Sequence, residues 1–535
     1  MAISTYRKRF PLPEVKYLNG LGFNLHWDNG GLPGELAAIR ATGARWVRTD
    51  LLWNGVEFNG VYNFSRWDKH FAGLKENGLR SVNILCYNHP DYMNPEQKAQ
   101  MVNAWDTSFG LYGDSQIAAF LAYVEATVKR YAGQGHIWEF WNEPNVGHFW
   151  KPSIDPAQFM HVLSQVVKLI RNIAPDEYIA IDASHVNSES PSGLFLEDCI
   201  KLGLLSMVDV LFIHPYTTIW NTGSALNAEA AGAQYTWVKK LLAKYMPRGK
   251  YIRVFQGECG ISEVDCDFYE PSPVTFTTTT TTTTSDTKTD TTTDSAVAAA
   301  IPIRSENLLG ELSTNFNHTL WRGYWLKPNM VTGVIDPLGK NNAVRLLSAD
   351  RDADPGRNVS GLIAGSSAIT GSTDKPQYYV VSYYARATKD NLFVFFGLSD
   401  KYIAYHLLDD KWRRYYITFK VTSNETRAFQ IYERAQNNVD WEIAYPMVER
   451  IDNPEPDTQA RRQALQAEYA KKQWQVALNN GVAMNIWYNW MDDGPNTVAY
   501  HDNFGVLEED RSTKKPAYHA LQQAHFDWRT NGIPK

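Results

Sequence analysis

The chain predicts a parallel α/β fold broken past its middle by an all-β insert, and three observations carry this. Apolar strand-like runs alternate with segments of helical spacing through the first half, the pattern of parallel strands joined by crossover helices. Two of those runs, Ile137-Trp138-Glu139-Phe140 and Tyr251-Ile252-Arg253-Val254-Phe255, each lead into a glutamate, Glu143 and Glu258. From Ser305 to Arg450 helical periodicity disappears and short strands separated by turn residues take over, as in a β-sandwich.

In chain order, Ile137 to Phe140 reads as a buried strand, and Pro156 to Ile173 has helical spacing. Glu177 to Ala183 reads as a short buried strand. Val208 to Tyr216 is another, ending in His214-Pro215-Tyr216. Gln234 to Tyr245 is helical again. The two glutamates then fall on the fourth and seventh strands. After Glu258 no helix follows at once. Pro271-Ser272-Pro273 leads into eight consecutive threonines, Thr277 to Thr284. β-Branched threonine disfavours helix and this composition builds no packed core, so 271–304 predicts an extended linker, with an edge strand or exposed Thr array as the alternative. Within 305–450, strands are expected at Tyr378 to Arg386, Leu392 to Leu398, Trp412 to Val421 and Ala428 to Glu433. Asn307-Leu308-Leu309 and Trp441 to Val448 are expected as neighbouring first and last strands of a jelly roll. Trp321, Tyr324, Trp325, Tyr402 and Trp412 are candidate sugar platforms, although each taken singly reads more readily as a core aromatic. Asp457 to Asn479 then reads as a long helix with Leu465, Tyr469 and Val476 on one side and Trp474 and Leu478 on the other. Val482 to Trp490 is the last strand.

The richest stretch is Trp141-Asn142-Glu143-Pro144-Asn145. Pro144 has no N–H and ends the ladder, so a buried strand delivers Glu143 to its own C-terminal end. Asn142 offers an amide to a sugar hydroxyl or to the glutamate itself. Trp138, Trp141, Phe149 and Trp150 surround it in sequence. A tunable carboxyl group among flat aromatic faces is what acid/base chemistry on a sugar needs; a plain structural turn is the bland alternative. Glu258 lies between Gly257 and Gly260, which are expected to leave room for a ligand at the backbone.

Spread over these segments, the chain resembles a clan A glycoside hydrolase. Leu21 to Trp27 resembles the clan's first strand, Trp46-Val47-Arg48 its second, and Ser81 to Tyr87, followed by Asn88-His89-Pro90, its third. Asn142-Glu143 resembles its Asn-Glu pair, His214 and Tyr216 its strand-six residues, and Glu258 its nucleophile, although Gly257-Glu258-Cys259 departs from the common Thr-Glu-aromatic context. Trp490 resembles the strand-eight tryptophan. Trp-Asn-Glu-Pro-Asn is most similar to family 39, with family 5 next. The resemblance implies a (β/α)8 TIM barrel interrupted after strand seven by the sandwich. Catalytic barrel is then expected over 1–270 and 451–535, and a carbohydrate-binding-like sandwich over 305–450. It also implies Glu143 as acid/base and Glu258 as nucleophile, supported by Arg48, His89, Asn142, His214, Tyr216 and Trp490. Retaining hydrolysis of an equatorial glycosidic bond follows, with no metal and no cofactor. A transglycosylase on the same fold is the rival enzyme. A non-catalytic carbohydrate-binding or virion adhesion protein is the rival from another class, and the presence of both glutamates argues against it.

The 535 residues suit two or three domains. The formal net charge of −6 comes without a long basic run, so nucleic acid is not an expected partner. No apolar run approaches the ~20 residues that span a bilayer, and no secretory signal is evident. Virion association or non-classical export is the resulting expectation, with an oligo- or polysaccharide, such as a bacterial exopolysaccharide or capsule, as the partner. The four cysteines have no metal-ligand spacing, and free thiols are expected, with a Cys259–Cys266 pair as the alternative.

Overall fold

A computed structural model describes residues 10–26, 30–103, 106–184, 191–217, 228–263, 266, 307–325, 330–337, 339–347, 359–372, 375, 377–388, 392–398, 402–408, 410–421, 423–434, 440–451, 458–494 and 502–534. Eight parallel strands close into a barrel. In chain order they are Leu21–Leu25, Trp46–Leu52, Arg80–Cys86, Ile137–Phe140, Tyr178–Ser184, Val210–His214, Arg253–Gln256 and Asn485–Trp487. Closure comes from the eighth strand, which pairs with the first through Leu21↔Asn485, Gly22↔Ile486 and Phe23↔Trp487. The fold class expected from the sequence is therefore the fold observed. Strand ends differ by a few residues, as at Leu25 and Trp487, because ladder pairing stops before the apolar run does.

The two-residue period of the strands explains the interior. Trp46, Val82, Ile137, Ala180, Val210, Phe212, Phe255 and Ile486 form one buried apolar cluster inside the barrel. Two residues further along their strands, on the same inward face, stand Arg48, Glu139, Asp182 and His214, all buried. The alternate residues Val47, Trp138, Phe140, Ile181, Leu211 and Ile213 belong to the separate cluster between strands and helices. The helix Pro156–Ile173 shows how that layer is built. Asp155 caps it by accepting from Gln158 N at 2.9 Å. Phe159, Met160, Leu163, Val166 and Ile170 recur at helical spacing and are buried, each stabilising by about 1.5–3 kcal/mol relative to exposure.

Between the seventh and eighth strands lie two five-stranded antiparallel sheets. One runs Arg322–Trp325, Val359–Ile369, Glu425–Arg434, Leu392–Leu398, Tyr402–Leu408 in spatial order. The other runs Met330–Val334, Ala343–Leu346, Trp441–Ile451, Gln377–Ala387, Arg413–Val421. Their facing sides bury Leu346, Val381, Tyr383, Phe396, Ile431 and Trp441 in a second core. Asn307 bridges Glu449, and Leu308 N donates to Val448 O at 2.8 Å, so the two ends of the sandwich are neighbours. Trp321 belongs to this core and is no sugar platform; its indole N–H donates to Leu312 O. Trp412 is half-buried beneath the Arg386 guanidinium. The linker with its eight threonines, and the side chains of Tyr324, Trp325 and Tyr402, lie outside the described residues.

The helix Thr458–Asn479 re-enters the barrel. Tyr469, Trp474 and Leu478 are all buried, and Trp474 packs on Trp528 of the final helix with ring centroids 4.9 Å apart. Gln466 Nε2 donates to Ile261 O and Asn503 O at 3.0 and 3.1 Å. Buried Lys515 Nζ lies 2.6 Å from both Glu263 and Asp492. These contacts stitch the chain before the insert to the chain after it. All four cysteines are buried free thiols. Among the described residues no helix is long and apolar enough to cross a membrane.

Candidate active site

Glu143 and Glu258 meet at the C-terminal end of the barrel, where the βα loops of this architecture gather. One carboxylate oxygen of each lies within 4.8 Å of the other and of an imidazole nitrogen of His214. His214 Nδ1 stands 2.7 Å from Glu143 Oε1 and 3.1 Å from Glu258 Oε2. A gap this short between nearest oxygens lies on the side of the roughly 5–5.5 Å carboxyl separation of a retaining pair and away from the 6.5–9.5 Å of an inverting one. The two side chains keep 14% and 12% exposure, whereas Glu139 and Asp182 beneath them keep none. Only the upper pair can meet a substrate.

Beneath the pair lies a buried charge network. Arg48 donates from Nη2 to Glu139 Oε1 at 2.6 Å and from Nε to Glu139 Oε2 at 3.0 Å. Its Nη2 also donates to Asn142 Oδ1 at 2.8 Å, and its Nη1 reaches Glu258 Oε1 at 3.3 Å. Burial alone would lower the Arg48 pKa, but Glu139, Glu258 and Asp182 outweigh it and hold the guanidinium charged. His214 Nε2 faces Asp182 Oδ2 at 3.1 Å. Burial opposes its charge too, yet Glu258, Asp182 and Glu143 push its pKa up to about 10. Burial raises the Asp182 carboxyl, against the pull of His214 and Arg48. One imidazolium thus ties three carboxyl groups together.

The turn that presents Glu143 is strained. Trp141 and Glu143 have φ of 67° and 46°, a left-handed conformation costly for residues other than glycine. Both Asp182 oxygens accept the Glu143 N–H at 3.0 Å, and the Ser184 hydroxyl donates to Glu143 Oε1. Ser184 N donates to Asn145 Oδ1 at 3.0 Å. The fifth strand therefore holds the loop after the fourth. Sequence reasoning missed Asp182, Ser184 and Glu139. The available signal was their parity: each lies an even number of residues from an inward apolar one, and a charge at such a position must be paired.

The structure brings Arg48, Asn142, Glu143, His214 and Glu258 into one cluster. Tyr216 is half-buried and feels the Glu258 charge, which adds to burial in raising its pKa. Other expectations need correction. Trp490 is wholly buried and its indole N–H donates to Glu35 Oε1 at 2.9 Å; it packs on Phe23 and Tyr518. The aromatic residue of that segment whose environment includes Glu258 is Tyr488. His89 is buried under the neighbouring loop, with Nε2 3.1 Å from Glu57 O and Nδ1 accepting from Asp91 N, beside Trp53 and Tyr92. It lines a separate cleft of about 240 Å³ with Asn54, Phe58 and Asp91. Trp138, Trp141 and Trp150 offer no faces to a sugar because all three are buried; of that group Phe149 alone is partly open, stacked parallel to Tyr87. Gly257 and Gly260 make room for the protein itself. A Cβ at Gly257 would meet His214 and Phe212 at 3.0 Å, and one at Gly260 would meet Tyr488 O at 1.9 Å.

Two groups, Glu143-His214-Glu258 and Glu139-Asp182-His214, hold carboxylate and imidazole atoms close enough to share a cation. Arg48 and the His214 imidazolium already face these oxygens, so the donor set suits proton transfer.

A model of the family described as cellulase (glycosyl hydrolase family 5) matches residues 14–301. No curated protein matches the chain. Among solved structures the chain is similar to a family 39 glycoside hydrolase from the gut symbiont Bacteroides cellulosilyticus WH2, at 12% identity over 97% of this chain and 66% of that one, TM-score 0.49. It is similar to native xylanase 10B from Thermotoga maritima, at 9% identity over 96% and 97%, TM-score 0.42. It is also similar to an endo-β-1,4-mannanase from Thermotoga petrophila, at 16% identity over 46% and 62%, TM-score 0.33.

Proposed function

The chain belongs to glycosyl hydrolase family 5, the second of the two families its motifs resemble, and is a retaining glycoside hydrolase; from that premise we propose that Glu258 is its nucleophile, Glu143 its acid/base, and a polysaccharide its substrate. The observation that carries the assignment is the pair of partly open carboxylates within 4.8 Å of each other, bridged by His214 Nδ1.

In the first step a Glu258 oxygen bonds to the anomeric carbon as the glycosidic C–O bond breaks, and Glu143 gives its proton to the departing oxygen. In the second, Glu143 takes a proton from water, whose oxygen displaces Glu258 and frees the sugar. Arg48 at 3.3 Å and His214 at 3.1 Å set positive charge beside the Glu258 oxygens, one of which attacks. The Asn142 amide, held by Arg48, is positioned to meet the sugar 2-hydroxyl, where contacts strengthen in the transition state. A sandwich inserted after strand seven enters through a βα loop, on the catalytic face, which supports endo action on a long chain such as a bacterial exopolysaccharide or capsule. Association with a virion or cell surface accords with that substrate.

The test uses leaving groups. Glu258→Gln should abolish turnover on every substrate. Glu143→Gln should slow poor leaving groups far more than activated aryl glycosides, which need no protonation. Azide should rescue Glu143→Ala and give a glycosyl azide of retained configuration. Equal damage by both substitutions on all substrates, with no azide product, defeats the assignment.

A further inference from the structure

The sandwich carries a basic surface that the proton transfers above do not use. In its second sheet the strands Ala343–Leu346, Trp441–Ile451, Gln377–Ala387 and Arg413–Val421 lie side by side. Val344, Leu346, Ile443, Tyr383, Ala385 and Ile417 point into the core, so the alternate residues Arg345, Glu442, Tyr384, Arg386 and Arg414 share the outer face. Register sets Arg345 and Arg386 on either side of Glu442. Arg345 donates to Glu442 Oε1 from Nη2 at 2.6 Å and from Nε at 2.8 Å, and Arg386 Nε donates to Oε2 at 2.6 Å. Glu442 is buried, with 3% of its side chain exposed, whereas Arg345 and Arg386 keep 42% and 36%. The Arg386 guanidinium lies over the Trp412 ring at 5.0 Å. Arg414, opposite Tyr384, lies over that ring at 4.9 Å and donates from Nη2 to Ser382 Oγ at 2.5 Å. This row crosses the sheet at the Trp441 end of its strand. Glu449, which meets Asn307 where the chain enters and leaves the sandwich, is roughly 20 Å away along that strand.

One guanidinium would neutralise Glu442; it holds two, and a third stands beside them. The other carboxylate of this face is Asp336, which accepts the Tyr445 hydroxyl at 2.6 Å, and the Tyr445 ring meets Tyr384 at 6.4 Å. Next to these residues in sequence, Lys411 and Arg413 offset Asp410 and Asp440. A positive surplus therefore stands here on a chain whose formal net charge is −6. Arginine has five N–H donors. After the bonds to Glu442, Nη1 of Arg345 and both Nη groups of Arg386 keep no protein partner among the described residues. Glu442 from below and Trp412 from the side fix these guanidinium planes before a ligand arrives, which lowers the ordering cost of binding. A planar fork of this kind matches a carboxylate, which accepts two parallel N–H bonds from it. We propose that Arg345, Arg386 and Arg414, backed by Glu442 and Trp412, form a second glycan site that holds the carboxylate-bearing units of an acidic polysaccharide; that the ligand is a glycan rests on the polysaccharide reading above. The three guanidiniums stand on three different strands, so successive acidic units of one chain have separate partners across the sheet.

The experiment is calorimetric titration of full-length Glu258→Gln protein, which leaves the polymer intact, with polygalacturonate, alginate and neutral dextran at low and high salt. Binding to a polyuronate and none to dextran is expected, with affinity that falls as salt rises. Arg345→Gln and Arg386→Gln, each added to that protein, leave one guanidinium on Glu442 and strand no buried charge. Each should weaken polyuronate binding by about 10-fold or more with unchanged thermal unfolding. Lys240→Gln, an equal loss of charge on an exposed position of a barrel helix, should leave binding unchanged. Binding of neither polyuronate, dextran bound as tightly, or both arginine variants binding like their parent overturns the inference; single-stranded DNA bound as tightly as polyuronate overturns the glycan assignment. In the wild-type background Arg386→Gln should keep kcat/KM on a small aryl glycoside. No turnover of any glycoside by wild type overturns the catalytic reading instead, and polyuronate binding that Arg386→Gln weakens stands without it.

Discussion

Replacing Asp182 by Asn removes one buried titratable carboxyl group and changes no shape. The carboxylate now accepts the Glu143 N–H with both oxygens at 3.0 Å and faces His214 Nε2 at 3.1 Å and Arg48 Nη2 at 3.5 Å. An amide has one acceptor oxygen and one donor nitrogen. It can serve the Glu143 N–H or the imidazole, and its NH2 then points at the other donor. One charged hydrogen bond is lost, at about 1.5–3 kcal/mol. If the loss falls on the positioned Glu143 and His214 in the transition state, kcat/KM drops roughly 10- to 150-fold. The pH profile adds a second readout. His214 sits at about 10 partly because of the Asp182 charge. Without it the pKa falls toward the ordinary ~6.5, so the alkaline limb of activity moves to lower pH. The stability effect has a matching sign. A histidine whose folded pKa is raised contributes fully below ~6.5 and loses that contribution as pH rises through its folded value, so the variant should lose it at lower pH than wild type. Steady-state kinetics from pH 5 to 10, with thermal unfolding at each pH, measure all three quantities. Activity within twofold of wild type and an unmoved alkaline limb would falsify the reasoning.

Other consequences can be measured separately. Lys515→Met should destabilise by about 3–5 kcal/mol, because it strands Glu263 and Asp492, each 2.6 Å from the ammonium; denaturant unfolding reads this, and a loss below 1 kcal/mol contradicts it. Burial pushes Asp492 up to about 7, so between ~4 and about 7 the folded state holds the extra proton and this group's contribution to stability falls as pH rises. Asp492→Asn, which cannot titrate, should flatten that slope in melts between pH 5 and 8. Replacing 271–450 by a short Gly/Ser bridge should leave a foldable barrel, since the sandwich has its own core and its ends lie side by side. Its loss should weaken action on polymer relative to a small aryl glycoside, and an unchanged ratio of the two kcat/KM values would mean that the sandwich does not touch substrate.

The sequence by itself determined a parallel α/β fold, its interruption and the two strand-end carboxylates, and the resemblance to clan A made that fold a barrel. Apolar runs alternating with helical spacing, the proline after Glu143 and the loss of helical spacing after 305 are local signals, and local signals are legible along a chain. It did not determine which aromatic residues face the cleft. Trp138 points outward because Ile137 and Glu139 point in, while Trp490 is held inside by Glu35, which is 455 positions away; Tyr488 takes the place near Glu258 instead. Nor did it single out Asp182, an ordinary acid in a short apolar strand until barrel closure sets it against Glu143, His214 and Arg48. Those partners come from three other strands. A charge that is unremarkable in the extended chain becomes decisive only when closure removes water from around it and leaves each buried group to be satisfied by its neighbours.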